Sequence, residues 1–112
     1  MNLEDGETVV WEKRANHTAG VRAVGGKLYL TDRRLVFESR GIGRGGKLWS
    51  TPLSEVARVT VADRDLSGVF SGGLTNRLRV ELASGDEELF VVRKVAEVAK
   101  DLSEAAAIRE DN

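Results

Sequence analysis

The chain has no cysteine, one proline and one histidine in 112 residues. Without cysteine there is no disulfide framework, no thiol nucleophile and no thiolate metal site, so the core alone must hold the fold. The single histidine, His17, excludes a histidine-based metal cluster. Aromatic residues make up only 5% of the chain. No stretch approaches the roughly 20 apolar residues of a membrane-spanning helix. The first seven residues, Met1 to Glu7, are acidic where a signal peptide would be basic and then apolar. The expected location is cytoplasmic, with peripheral attachment to the inner membrane face left open.

The length suits one domain. The expected organisation is a flexible acidic lead over 1–7 and a single domain over 8–110. The net charge of -1 conceals a division. Nine basic residues and only two acidic ones lie between Lys13 and Lys47, a local excess of seven positive charges, so the remainder carries eight negative ones. Such a segment either builds a basic face for phosphates, nucleic acid or anionic lipid, or spreads its charges around the surface; both stay open.

Apolar patterning divides the chain into short strands followed by one helix. Thr8 to Trp11 opens a first strand that runs to Ala15, and Asn16 to Gly26, with three glycines, suits a loop. Lys27 to Arg40 reads as a hairpin: Leu28 and Leu30, then Leu35 and Phe37, point to the core, and Thr31, Asp32, Arg33 and Arg34 form a turn too polar for easy burial. Gly41 to Lys47 is a glycine-rich loop. Leu48 to Thr51 resumes a strand that Pro52 ends. Leu53 to Val56 is a corner, and the alternation of Ala57, Val59 and Val61 predicts a half-buried strand. The fourteen-residue connection from Asp63 to Asn76 carries Leu66, Val69, Phe70 and Leu74, which either tuck over one end of the core or contact a partner or membrane. Arg77 to Leu82 and Glu87 to Val92 form a second hairpin. From about residue 94 to 109 the period changes to a helix, with Val95, Val98, Leu102, Ala105 and Ala106 on one face.

Several apparent motifs fail on context. Gly41, Gly43 and Gly46 spell G-x-G-x-x-G, but no helix opens after them to hold a pyrophosphate, and Leu48 stands where a P-loop needs Ser or Thr. His17 reads as a solvated loop histidine. The acids Asp63 with Asp65 and Glu87 with Glu88 read as surface charge. Trp11, Phe37, Trp49 and Phe90 lie in apolar strands without interleaved cations, which suits core packing better than base stacking. No metal, cofactor or catalytic set is expected, and nucleic acid is not an expected partner.

Gly26-Lys27-Leu28-Tyr29-Leu30-Thr31-Asp32-Arg33-Arg34-Leu35-Val36-Phe37 resembles the repeated core of GRAM and bacterial pleckstrin-homology-like (PH-like) domains. Trp49, Pro52 to Val56, Leu78 to Val80 and Phe90 to Val92 support the same resemblance, which spans Thr8 to Ala107. It implies a mainly β (α+β) fold: a PH-like partly open barrel of seven antiparallel strands in two bent sheets, capped by one C-terminal helix. It also implies a non-catalytic binding or adaptor module that engages a protein or peptide, or self-associates into a homo-oligomer. The alternative is weak peripheral binding to anionic lipid headgroups. The resemblance would bring Arg22, Arg40, Arg44 and Lys47 to one mouth for that purpose, while Asp86, Glu87 and Glu88 oppose them there. Leu66, Val69 and Phe70 are the candidate partner-contacting loop.

Overall fold

A computed structural model describes residues 3–19, 22–39, 48–62 and 77–107. Seven strands precede one helix: β1 (Val9–Ala19), β2 (Arg22–Thr31), β3 (Arg34–Ser39), β4 (Leu48–Pro52), β5 (Val56–Ala62), β6 (Arg77–Leu82), β7 (Glu87–Val92) and α1 (Val95–Ala105). A 3-10 turn over Leu53–Glu55 forms the expected corner. Every described pairing is antiparallel, in the order β4-β3-β2-β1-β7-β6-β5. The ladder runs unbroken through β1 instead of dividing into two sheets. That one sheet nevertheless curls. Trp49 on β4 and Phe90 on β7 are four strand spacings apart, about 19 Å across a flat sheet, yet their ring centroids are 5.8 Å apart.

The concave face holds the core. Leu28, Leu30, Leu35 and Phe37 are buried as alternation predicts, with Leu78, Val80, Phe90 and Val92 from the other half and Val98 and Leu102 from α1. Each such side chain contributes about 1.5–3 kcal/mol relative to an exposed one. The helix needs this contact, because eleven residues are too few for a stable isolated helix in water. Lys94 enters it in the left-handed region, at φ 54°. Val36 is also fully buried although it alternates with Leu35 and Phe37; it sits opposite Tyr29 and Ser50 on the convex face.

The glycine-bearing stretch from Asn16 to Gly26 is largely strand, not loop. β1 and β2 pair from Trp11 opposite Leu30 as far as Ala19 opposite Arg22. Gly26 belongs there for a steric reason. A Cβ on it would lie 2.2 Å from the Glu38 carbonyl oxygen and 2.9 Å from Phe37 Cζ. The absent side chain lets β3 approach and the Phe37 ring fold over the backbone.

The polar turn is also more buried than its composition suggests. Thr31 is fully buried and the Arg34 side chain is 18% exposed, because Glu7 covers them with a side chain of 0% exposure. Arg34 Nε and Nη2 donate to the two Glu7 oxygens at 2.8 and 2.9 Å, and the Thr31 hydroxyl donates at 2.6 Å. The Arg34 guanidinium, and next the Thr31 hydroxyl, pull the Glu7 carboxyl from its ordinary 4.5 to about 2 against the opposing effect of burial.

Two outcomes follow from these contacts. Gly26→Ala is expected to cost about 3 kcal/mol, the upper end for overpacking, because the obstructing atoms include backbone; urea unfolding measures it. A carboxyl held low in the folded state stabilises the fold above its unfolded value, and that stability is lost as pH falls through the folded value. The urea midpoint should therefore drop as pH falls from 4.5 towards 2, with Glu7→Gln lower at neutral pH and flatter across that window.

Candidate functional site

The ends of β1, β4 and β7 from which the connections 20–21, 40–47 and 83–86 leave carry a cluster of rings and a histidine–carboxylate hydrogen bond. Cross-strand pairing puts His17 opposite Phe90 and Val24, and Ala15 opposite Val92 and Gly26, so His17 points to the concave face. His17 is thus a strand residue with a side chain only 12% exposed, not a solvated loop histidine. Its ring stacks on Phe90 at 4.7 Å and 19°, with Phe37 and Trp49 at 5.2 and 5.8 Å. Nε2 lies 2.6 Å from Glu88 Oε1. An ionised carboxylate only accepts, so Nε2–H donates and the imidazole orientation is fixed.

Charges near this mouth are already engaged. Glu88 turns inward to His17, while Glu87 lies 3.4 Å from Arg79 Nε, an ion pair that lacks hydrogen-bond angles. Asp86 takes part in a turn with Ser84. The carboxylates expected to oppose an anion are therefore partly offset. The basic segment is offset too: Lys27 pairs with Glu12, Arg33 with Glu4 and Arg34 with Glu7. Lys13 instead lies over the Trp11 ring, 5.4 Å from its centroid. Arg22 opens β2, but its side chain lies outside the described residues. Arg40, Arg44 and Lys47, and Leu66, Val69 and Phe70, lie outside them as well. No group of three or more potential metal ligands occurs among the described residues, and no described helix is long and apolar enough to cross a membrane.

Two further surfaces lie away from this mouth. A cavity of about 230 Å³ on the convex face is lined by Gly26, Lys27, Tyr29, Glu38 and Ser39. There the Tyr29 hydroxyl donates to Glu38 at 3.3 Å, and burial, then the Glu38 charge, push the phenol up from its ordinary value. The other surface is the edge of β5, which has no second strand partner among the described residues. It is seven residues long and contains neither proline nor lysine, and its one charge, Arg58, lies 3.8 Å from Glu81.

Solved structures share this arrangement. The fold is PH-like. The C-terminal domain of an unknown protein from Leishmania infantum matches with a TM-score of 0.71 at 16% identity, over 92% of this chain and 87% of that one. The hSac2 domain from the human phosphoinositide phosphatase Sac2 matches with a TM-score of 0.63 at 13% identity, over 92% and 74%. The linker-DH/PH domains of p115-RhoGEF match with a TM-score of 0.61 at 14% identity; 97% of this chain aligns, spanning 32% of that one. No protein-family model and no curated protein matches the chain.

Two constellations escaped the linear reading. His17 shares strand parity with Ala15, and Glu88 with Phe90, so alternation carried a signal for both. Glu7 had none, since one of three acids ahead of the first strand marks no contact 24 or 27 residues away. Removing the His17 ring should leave a gap among three aromatic rings. His17→Ala is expected to lose about 2 kcal/mol in urea unfolding, whereas Asn16→Ala, on the outward face, should stay within about 0.5 kcal/mol.

Proposed function

We propose that residues 8–110 act as one non-catalytic, GRAM-like binding module that engages an extended segment of a protein partner by strand addition along β5, or a second copy through the same edge. The observation that carries this reading is the β5 edge, which has no second strand partner among the described residues. Exposed edges present unpaired N–H and C=O groups, and proteins that do not use them blunt them with proline, lysine or brevity. β4 is blunted in this way, with five residues ending on Pro52. β5 has neither proline nor lysine; a register shift bends it between Val56 and Arg58 and α1 packs against it, so the stretch open to pairing is the part beyond that bulge, Val59–Ala62. The GRAM kinship rests on the Gly26 to Phe37 motif, whose glycine has a steric role here. The absence of a catalytic role is part of the proposal; it fits a His17 ring packed among Phe37, Trp49 and Phe90 with its Nε2 held by Glu88.

A second reading, weak attachment to anionic headgroups through Arg22, Arg40, Arg44 and Lys47, draws support from the engagement of Glu87 and Glu88 by Arg79 and His17. It requires sedimentation with anionic vesicles at low salt that fades as ionic strength rises.

Light scattering combined with capture from the native cell extract tests the main reading. Thr60 lies on β5 opposite Arg79 with its hydroxyl buried, so Thr60→Glu places a carboxylate on that strand facing an arginine, and urea unfolding checks that the variant is still folded. It is expected to weaken the complex or the dimer about tenfold or more. A strictly monomeric protein with no interactor, or a complex indifferent to Thr60→Glu, would count against the proposal.

A further inference from the structure

The lead from Glu4 to Thr8 lies against the β2–β3 turn through contacts of the kind that recognise peptides. Arg34 holds the Glu7 carboxylate with two parallel donors, a geometry that favours planar anions. Thr31 supplies a third donor. Its oxygen accepts from the backbone N–H groups of Arg33 and Arg34 at 3.0 and 2.9 Å, so the turn itself orients the hydroxyl. Arg33 reaches Glu4 at 3.6 Å. Main chain adds register: Asp32 N–H donates to the Thr8 carbonyl, and Thr8 N–H donates to Asp32 Oδ1, both at 3.0 Å. The lead also folds on itself, with Glu7 N–H donating to the Glu4 carbonyl at 2.9 Å.

None of the residues from Leu3 to Thr8 joins the hydrophobic core, and Leu3 is 46% exposed. The lead is therefore held by polar contacts to a receptor whose donors the turn pre-positions. We propose that the β2–β3 turn is a binding site for an acidic peptide with two glutamates three residues apart, and that Glu4 to Thr8 occupy it in cis as an internal ligand. The partner is an acidic segment of another protein that displaces the lead. This site is separate from the β5 edge and stands or falls without it.

A fluorescein-labelled peptide with the sequence of residues 1–8 serves as the probe, titrated by anisotropy into the full chain at low salt. Cis occupancy lowers the apparent affinity by the fraction of open site. A Glu4→Gln/Glu7→Gln double variant should therefore bind the peptide at least about tenfold more tightly than the original chain. Adding Arg34→Gln should abolish that binding, and a peptide with glutamine at both acidic positions should not bind. Equal affinity of the original and double-variant chains for the acidic peptide, or equal binding of the glutamine peptide, overturns the proposal. Should the double variant fail to fold, the amide resonances of Arg33 and Arg34 in the unaltered chain give the second readout. They should shift with millimolar acidic peptide and not with the glutamine peptide; unchanged resonances overturn the proposal.

Discussion

β1 is hydrogen-bonded on both sides over Ala15 to Thr18, to Ala23–Gly26 on β2 and to Leu89–Val92 on β7. Among the described residues this doubly paired segment is the only strand pairing that joins the β1–β4 meander to the β5–β7 meander. A strand with two partners must satisfy two twists at once, and the sheet answers by curling until rings from opposite halves touch. The extra residue at the Val9 to Trp11 register shift fits that demand, since a bulge bends a strand and increases its twist. Core, ring cluster and free edges all depend on this one junction.

Much of this architecture was legible in the residues because strands write their faces at a period of two. The Leu28 to Phe37 and Arg77 to Val92 hairpins obey it, while the proline itself marked the Pro52 boundary and the corner after it. The period-3.6 pattern after Lys94 marked the helix equally well. The stretch from Asn16 to Gly26 misled because glycine is common in loops, whereas Gly26 is needed for close approach of two strands. The candidate site was less legible. His17 and Glu88 are 71 residues apart and meet only through the β1–β7 pairing, which neither residue announces locally.

Charge shows the same difference between linear and spatial reading. The seven-charge excess from Lys13 to Lys47 left open whether it forms a basic face or is spread around the surface. In space, three of its cations meet carboxylates at positions 4, 7 and 12, just outside that window. The acidic beginning and the basic first half are thus two sides of the same set of contacts. The exposed pairs contribute little to stability, typically about 0–1 kcal/mol each. The buried Arg34–Glu7 fork differs from them in having its hydrogen bonds completed by Thr31.

The topology also has a kinetic meaning. Each described pairing joins strands adjacent in sequence, apart from β1 with β7. Local hairpins close small loops at low entropic cost, while the β1–β7 pairing closes a loop over nearly the whole chain and costs more. The ring cluster at the barrel mouth depends on that costlier closure, because the surface around His17 exists only once the chain has joined its first strand to its last.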